Sequence, residues 1–317
     1  MKPTSIAAAA AALCTAAVTA TVFAAPFAYV PNEKSGTVSV IDCASDAVVD
    51  TIQTGGKPRG MAFGKDGKLL YVSDRSSNSL LVVDLATRKT SGRIALQESP
   101  EGVGISPNGE WIVAASEISN SVNFVSTATG KVEFSVTTKG KNPEHAEFSP
   151  DGKWLYVSAE EADSLDIVDV ARREQVNAIT LGQRPRGIGF LPDGSKAYVA
   201  AEIAGTVYAI DTAAQKLLAK IPAGTFSNGV TVNPDGKTVY VSNGKDGTVS
   251  VIDTASDKVT ATIPVGKRPW NMAITPDGGK LYVANGRSNS VSVIDTATKQ
   301  KIRDVAVGEL PWGVVIQ

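Results

Sequence analysis

The chain has 317 residues, 43% of them apolar, and its 31 basic and 32 acidic residues leave a formal charge of −1. This near balance gives no general electrostatic basis for binding nucleic acid or an anionic membrane. With no CxxC pair and no CxxCH segment, the sequence also excludes a cysteine-type zinc site and c-type haem attachment.

The chain begins with a pattern typical of an exported protein. Lys2 is followed by an uncharged run, Ile6 to Ala24, that is rich in alanine and threonine. A basic start, an apolar run and small residues at its end predict a cleavable secretory signal over residues 1–24, with Val22 at the −3 position. An uncleaved anchor is the alternative, but a run rich in alanine and threonine has low hydrophobicity for a membrane-spanning helix. Cys14 follows a leucine rather than a small residue, so no lipid anchor is predicted and the expected location is the periplasm.

The sequence from residue 25 onward is a repeat. Each copy holds four short runs of β-forming residues separated by turn residues, for example RGMAF, LLYVS, NSLLVVD and TSGRIAL after Pro58. The phrase SVIDTAS marks the copies at a spacing of 42 residues, once 43, and its aspartate position falls at Asp42, Asp84, Ser126, Asp169, Asp211, Asp253 and Asp295. Four antiparallel strands per unit of this length are typical of a propeller blade. Residues 25–317 are therefore predicted to form one all-β domain, a seven-bladed β-propeller.

The two ends of the repeat each hold part of one blade. FAYVPN at Phe27 matches the second run of a unit, and PWGVVIQ at the C-terminus matches the first. Neither end can bury its apolar face alone, so the C-terminal strand, Trp312 to Gln317, is predicted to join the N-terminal blade and close the ring.

The second runs carry a recognisable signature. They read YVPN, YVSD, YVSA, YVAA, YVSN and YVAN, with PDGK before and VSVIDTA after in several copies. This pattern resembles the YVTN-repeat β-propellers, including the YncE-like periplasmic proteins, over all of residues 25–317. The length, the seven copies and the leader also resemble the propellers associated with PQQ-dependent catabolism. That resemblance implies a role beside quinoprotein alcohol oxidation, with a quinoprotein dehydrogenase or its cytochrome as a partner.

Strand direction decides which face of the ring is free for function. The first-to-second and third-to-fourth turns share the bottom face, where PDGK and DTAT recur and aspartates such as Asp253 are predicted to accept backbone N–H bonds. The innermost strands begin at the top face, around the mouth of the central channel. The residue after their opening proline varies, as Arg59, Glu101, Glu144, Arg186, Asn228, Trp270 and Trp312. A ligand site is therefore predicted at the channel mouth on the top face.

The following position on the innermost strands is glycine in five copies, and the exceptions are His145 and Asn271. Two residues further on, Glu147 is the only charged residue at a position that is small or uncharged elsewhere. Residues i and i+2 share one face of a strand, so His145 and Glu147 are predicted to project together.

Three interpretations of this pair stay open. The pair is a metal site with Glu101 or Glu144 as a further ligand, because one histidine plus carboxylates suits a divalent metal. Alternatively it is a general acid/base, since histidine titrates near neutral pH. The third interpretation is a histidine hydrogen-bonded to Glu147 and Arg186 without a catalytic role.

Charges in the top connections predict two separate arcs. The acidic arc comprises Glu117, Glu160, Glu161, Asp163 and Glu202, and the basic arc comprises Lys57, Lys245, Lys267, Arg268 and Arg287. Two neighbouring indoles, Trp270 and Trp312, belong to the basic arc and suit stacking of a flat ligand such as a quinone, an aromatic alcohol or a base.

The sequence contains no nucleophile–base set, so the leading prediction is a non-catalytic binding or scaffold protein for a small molecule or a periplasmic protein. No cofactor is predicted other than a divalent metal. One alternative is a lactonase-like hydrolase or lyase that uses His145 and Glu147 with Arg186. The other is single-stranded DNA binding through Trp270, Trp312 and Arg59.

Overall fold

The computed structural model describes residues 26–317, and the predicted signal, residues 1–24, lies outside the described residues. Seven four-stranded antiparallel sheets form the described chain. The single helical element among them is one 3-10 turn, Glu160–Ala162. Within this range no helix has the length and apolar character needed to cross a bilayer. The prediction of an all-β, seven-bladed propeller is confirmed.

The strands are numbered in chain order, and blades are numbered from the N-terminus. Blade 1 contains β1 Phe27–Asn32, β2 Thr37–Asp42 and β3 Ala47–Gln53, and blade 2 contains β4 Pro58–Phe63, β5 Leu69–Asp74, β6 Ser79–Asp84 and β7 Lys89–Ala95. Blade 3 contains β8 Pro100–Ile105, β9 Trp111–Ser116, β10 Ser121–Ser126 and β11 Lys131–Thr137, and blade 4 contains β12 Pro143–Phe148, β13 Trp154–Ala159, β14 Ser164–Asp169 and β15 Glu174–Thr180.

Blades 5 to 7 continue the same order. Blade 5 contains β16 Pro185–Phe190, β17 Lys196–Ala201, β18 Thr206–Asp211 and β19 Lys216–Pro222, and blade 6 contains β20 Ser227–Val232, β21 Thr238–Asn243, β22 Thr248–Asp253 and β23 Lys258–Pro264. Blade 7 contains β24 Pro269–Ile274, β25 Lys280–Asn285, β26 Ser290–Asp295 and β27 Gln300–Ala306, and the last strand of the chain is β28 Val315–Ile316.

The hydrophobic core lies in the seams between blades. The second and third strands of each blade are buried on both faces because neighbouring blades cover them. In the seam between blades 1 and 2, for example, Val38 and Val40 pack with Leu70 and Val72. Each such fully buried aliphatic side chain stabilises the fold by about 1.5–3 kcal/mol. The outermost strands alternate instead, since one of their faces meets solvent.

The C-terminal strand closes the ring as predicted. In β28, Val315 pairs with Tyr29 and Ile316 with Ala28, so blade 1 has the strand order β28-β1-β2-β3. The Trp312 N–H also donates to the Pro31 carbonyl at 3.0 Å. The strand is shorter than the predicted Trp312–Gln317 because its first residues lie in an irregular segment, as they do in the other innermost strands.

The bottom turns use their aspartates as predicted. Asp253 Oδ1 accepts the Ser256 N–H at 2.8 Å, and Asp295 Oδ1 accepts the Thr298 N–H at 2.7 Å. In the copy without aspartate, Ser126 Oγ accepts the equivalent bond at a longer 3.3 Å. These aspartates therefore have a structural role.

Candidate functional site at the channel mouth

The innermost strands approach one another closely at the top of the channel. In β12 the pairing with β13 slips between Pro143 and Ala146, so that Glu144 and His145 together oppose one residue. Such a bulge re-aims the side chains at the slip. A Cβ atom on Gly102, in the neighbouring blade, would lie only 2.7 Å from the Glu144 carbonyl oxygen. This crowding explains the glycine that most blades carry here.

His145 crosses the channel to stack on Trp312. The two ring centroids are 5.4 Å apart and the rings are inclined by 15°. The histidine belongs to blade 4 and the indole to blade 1, and in a ring of seven these blades stand on opposite sides of the axis. The Asn271 N–H donates to the Trp312 carbonyl at 3.3 Å from a third blade. These three residues, named here the septum, form a floor beneath the channel mouth.

The environment of the septum disfavours the protonated form of His145. Burial lowers the pKa of His145, and the positive charge of Arg186 lowers it further, while the Glu144 carboxylate and a hydrogen bond with Asn271 oppose the shift. Its Nδ1 is buried and has no hydrogen-bond partner within residues 26–317. A neutral imidazole stacked on an indole fits a structural floor.

Glu147 lies below the septum and faces the channel. Its side chain is exposed there, and it makes no ion pair or hydrogen bond with the residues that the structure describes. Protein surrounds the carboxyl closely enough that desolvation raises its pKa to about 7. The structure therefore does not bring Glu147, His145 and Arg186 to one point.

Above the septum, Arg186 binds three carboxylates. Its Nη1 lies 2.5 Å from Glu144 Oε1, and its Nε lies 2.6 Å from Glu160 Oε1 and 3.1 Å from Glu202 Oε2. Glu160 and Glu202 also pair with Arg184 Nε, at 3.1 and 3.5 Å. The carboxylates are nearly inaccessible to solvent, so these contacts are buried ion pairs in which each partner offsets the desolvation of the others.

A second set of ion pairs lies beside the first, on blades 1 to 3. Arg59 Nη1 lies 2.5 Å from Glu101 Oε2, and Arg59 Nη2 lies 3.0 Å from Glu33 Oε1. Arg75 lies 3.5 Å from Glu101 and 3.0 Å from Glu117. Both Arg59–Glu101 and Arg75–Glu117 join positions 42 residues apart, which are equivalent positions of adjacent blades.

The same blade-to-blade spacing explains the order of charges at the mouth. Arg186 and Glu144 are also 42 residues apart and occupy the position after the opening proline. The sequence order Arg59, Glu101, Glu144, Arg186 is therefore two ion pairs placed side by side. The glutamates of the two ion pairs are on neighbouring blades, so Glu101 and Glu144 are close enough to repel each other.

Burial and repulsion raise the pKa of two of these carboxyl groups, whereas positive charges lower that of a third. Desolvation and the nearby Glu144 charge raise the pKa of Glu101 to about 8 and that of Glu160 to about 7, although arginines oppose both shifts. Burial is the largest single influence on Glu144 and raises its pKa, but the charges of Arg186, His145, Arg59 and Arg184 together outweigh burial and hold the pKa of Glu144 below its usual range. The mouth thus combines one firmly ionised carboxylate with two groups that exchange protons near neutral pH.

The mouth contains a cavity of about 180 Å³. Five arginines, two glutamates, two asparagines and two tryptophans line it, namely Arg59, Arg75, Arg184, Arg186, Arg268, Glu117, Glu144, Asn228, Asn271, Trp270 and Trp312. Asn228 is 3% exposed, and its Nδ2 has no hydrogen-bond partner among the described residues. A buried donor without an acceptor is costly, so this amide is set to bind an acceptor atom of a ligand or a water.

Three carboxylates of the mouth are close enough to share a metal ion. Oxygens of Glu117, Glu144 and Glu160 all lie within 4.8 Å of one another, and neither His145 nor Glu147 belongs to this group. Each of the three already pairs with an arginine, Arg75 or Arg186. These guanidinium groups supply the positive charge that an ion would bring, so the group does not fit a metal while they remain in place.

The structure places eight of the ten predicted site residues around the mouth or in its floor. His145 also belongs to that floor, and Glu147 lies beneath it. Four of the five residues of the predicted basic arc line one pocket, namely Lys245, Lys267, Arg268 and Arg287. The other arc is not purely acidic, because Arg75, Arg184 and Arg186 pair with its glutamates. Sequence reasoning missed Glu33, Arg75 and Arg184. Arg75 directly follows a second strand and Arg184 precedes an opening proline, so an alignment of these loop positions between blades would have found both.

The two indoles of the mouth have different roles. Trp312 is 8% exposed, and His145 covers one face of its ring in the septum. Trp270 is half-buried and lies over Gly286, where a Cβ atom would be 2.5 Å from its ring. Only Trp270 therefore presents a substantial aromatic surface to the cavity, so the two indoles do not make a continuous stacking track.

Comparisons with known structures agree on the fold. Hydrazine synthase from Kuenenia stuttgartiensis is 24% identical, with a TM-score of 0.79 over 90% of this chain and 99% of that chain. A functionally unknown protein from Desulfotomaculum acetoxidans is 19% identical, with a TM-score of 0.78 over 92% and 98% of the two chains. A putative 6-phosphogluconolactonase from Bacteroides uniformis is 20% identical, with a TM-score of 0.77 over 92% and 99%. At these identities the likeness shows the fold alone.

Sequence comparison identifies the family. No curated protein shows significant similarity to the chain. A family model described as "Lactonase, 7-bladed beta-propeller" matches residues 21–138, 93–176 and 170–306. Because these matches together extend over most of the sequence, and because the described residues form a seven-bladed ring, the chain belongs to the seven-bladed lactonase β-propeller family.

Proposed function

We propose that the chain hydrolyses a small lactone bearing an anionic group at the channel mouth, where Arg184 lines both the central cavity and an adjoining pocket of about 260 Å³ that Glu160 borders. The observation that carries this proposal is the state of the Glu160 carboxyl, which is buried between Arg184 and Arg186. Desolvation and the nearby Glu144 charge raise the pKa of Glu160 to about 7. Glu160 Oε1 lies 2.6 Å from Arg186 Nε, yet this oxygen accepts no hydrogen bond from the described residues, whereas Oε2 accepts one from Arg184 Nε. An oxygen in this state is suited to accept a proton from water near neutral pH.

The reaction follows from these groups. Glu160 takes a proton from a water molecule, whose oxygen adds to the lactone carbonyl carbon and leaves a tetrahedral oxyanion. The Arg184 guanidinium, half-buried beside Glu160, stabilises that negative charge. The ring C–O bond then breaks, and the departing alkoxide takes the proton back from Glu160. The product is the open-chain hydroxy acid, and the enzyme is returned to its starting state.

The lining of the cavity sets the class of ligand. Arginines outnumber glutamates by five to two around it, which favours an anionic molecule. The unpaired Asn228 amide provides a donor for a carbonyl or hydroxyl oxygen, and Trp270 provides one apolar wall. A volume of about 180 Å³ favours a small molecule over a polymer.

The experiment is lactone hydrolysis followed by proton release in a pH-stat. The panel contains glucono-δ-lactone, 6-phosphogluconolactone and simple γ- and δ-lactones, each corrected for spontaneous hydrolysis. Glu160→Gln should lower the rate at least 100-fold, since general base catalysis contributes about 10²–10⁴-fold. Glu161→Gln is the matched control, because this neighbour is exposed in the same turn, and it should stay within twofold of the parent. A parent no faster than buffer on every lactone, or an unimpaired Glu160→Gln, contradicts the proposal.

A second candidate function is capture of an acidic small molecule without turnover. The observation that favours it is the complete pairing of the mouth carboxylates with arginines, which builds a rigid receptor before any ligand arrives. Together with the repeat resemblance described above, this supports an accessory role beside quinoprotein alcohol oxidation in the periplasm. Ligand-dependent thermal stabilisation with no proton release from any lactone would favour this candidate over hydrolysis.

A further inference from the structure

The bottom face differs between blades at one register, the first residue of the second strand. Lys196 and Lys280 occupy it in blades 5 and 7, and each reaches across the seam to a carboxylate of the next blade, Asp257 at 2.9 Å and Asp46 at 2.8 Å. Blades 3 and 4 carry Trp111 and Trp154 at this register. Two seams of the bottom face therefore have an aromatic ring where two others have an ion pair.

The tryptophans border two grooves that meet. One groove, of about 510 Å³, is lined by Trp111, Trp154 and Phe134, and the other, of about 530 Å³, lies on the far side of Trp154. Asp151, Lys153 and Trp154 line both. The two grooves thus form one continuous surface with the half-buried Trp154 ring at its centre. A surface of this shape suits an elongated ligand with repeating units.

The aromatic wall of the first groove is held in place by its neighbours. Trp111 meets Phe134 edge-on at 5.3 Å and Phe124 at 6.1 Å, and the Arg173 guanidinium covers Phe134 at 4.3 Å. Rings fixed in this way lose little conformational entropy when a ligand binds. A preorganised aromatic surface on an exposed face is a common feature of a binding site.

The charges of the grooves are nearly balanced. In the first groove, Glu110, Asp151 and Asp169 face Lys153 and Arg173, and in the second, Asp151 and Asp193 face Lys153. This balance disfavours a polyanion such as nucleic acid and a strongly cationic peptide. Exposed carboxylates beside aromatic rings instead suit a neutral ligand rich in hydroxyl groups, because hydroxyls donate to carboxylate oxygens while C–H faces of sugar rings pack on indoles.

We propose that the bottom face binds a neutral oligosaccharide, with Trp154 as the central stacking platform and Asp151 and Asp193 as hydroxyl acceptors in the two grooves. Trp111 forms the outer wall of the first groove. The site lies on the face opposite the channel mouth, so it is independent of the proposed lactone site.

The test is isothermal titration of the protein with cellotetraose, maltotetraose and tetra-N-acetylchitotetraose, with tryptophan emission recorded in parallel. At least one tetrasaccharide should bind and change the emission. Trp154→Ala should weaken that binding at least tenfold, whereas Trp154→Phe should retain most of it. Thr238→Ala changes the same register in blade 6 and should bind like the parent.

The double variant Asp151→Asn/Asp193→Asn keeps the proposal testable if Trp154→Ala fails to fold. Both residues are exposed in turns, and asparagine can still accept the turn bonds that Asp151 Oδ1 and Asp193 Oδ1 accept from Lys153 N–H and Ser195 N–H. This variant should lose at least threefold in affinity at an unchanged melting temperature. Absence of binding by all three sugars, or undiminished binding by the Trp154→Ala protein, would overturn the proposal.

Discussion

The ion pairs at the channel mouth make a specific prediction for the variant Arg186→Gln. The change removes one guanidinium that contacts Glu144, Glu160 and Glu202, and it leaves an uncharged side chain of shorter reach. The carboxylates stay where they are, because their strands and turns hold them. The variant therefore exposes the cost of burying negative charge without its main cation.

The magnitude follows from the burial of these groups. Breaking a buried ion pair by removing one partner costs about 3–5 kcal/mol. Since about 1 kcal/mol shifts the melting temperature of a large domain by roughly 2–4 °C, a fall of about 10 °C is expected at pH 8. In the parent, the lowered pKa of Glu144 contributes stability that is present above its unfolded pKa and lost as the pH falls. Without Arg186, burial raises the same pKa, so the destabilisation relative to the parent should shrink as the pH approaches 4.5.

The assay is thermal unfolding of the two proteins, followed by circular dichroism at intervals between pH 8 and pH 4.5. Arg287→Gln is the control, because this arginine is exposed and makes no ion pair with the described residues. It should melt within about 1 °C of the parent, as ordinary surface changes do. A loss for Arg186→Gln that is the same at every pH would refute the reasoning, since its cause would then not be electrostatic.

Three further variants test other parts of the structure. Glu147→Gln should raise the melting temperature at pH 8 and have little effect at pH 5. A carboxyl whose folded pKa is raised to about 7 destabilises the fold as the pH rises above the pKa of the unfolded chain. A gain that is equal at both pH values would contradict this. Gly102→Ala should destabilise by about 1–3 kcal/mol in denaturant unfolding, because its Cβ meets the neighbouring backbone at 2.7 Å, whereas Gly92→Ala, with nothing nearer than 3.7 Å, should not. His145→Gly should shift the emission of Trp312 to longer wavelength by opening its stacked face to solvent, and an unchanged spectrum would argue against the septum.

The fold could be predicted from the sequence because every blade repeats the same local information. A fixed spacing, four β runs and turn residues between them determine the blade, and the complementary ends determine closure. The only departure at the ends was the length of β28, because the irregularity that each innermost strand has after its proline is not visible in the residue pattern.

The candidate site at the channel mouth follows from the top positions, because the residue after the opening proline differs in charge and size between copies. The arrangement of its charges was not predictable, because strand periodicity says which face a side chain takes but not how far it reaches. Arg186 and Glu144 share a register in adjacent blades, and their contact follows from blade-to-blade proximity rather than from either strand. His145 illustrates the same limit, since its partner Trp312 lies across the channel axis and 167 positions away in the numbering of the chain.

The bottom face shows what a search for invariant turns overlooks. The recurring PDGK and DTAT phrases make that face look uniform, and the aspartates do have the structural role that was expected. The register of Trp111 and Trp154 follows directly after these turns, where the copies differ most in size and polarity. The residue pattern does not show that grooves lie on both sides of Trp154, because they form only where neighbouring blades meet.

The most direct test of the account is the response of the four indole N–H resonances in a nitrogen-15 labelled sample to a lactone that the protein hydrolyses, or to its hydroxy acid product. The chain has four tryptophans, with Trp270 and Trp312 at the channel mouth and Trp111 and Trp154 on the opposite face. The account predicts that the ligand shifts the resonances of Trp270 and Trp312 and leaves those of Trp111 and Trp154 unchanged. Shifts confined to Trp111 and Trp154, or no shift in any of the four at saturating ligand, would contradict the assignment of the channel mouth as the ligand site.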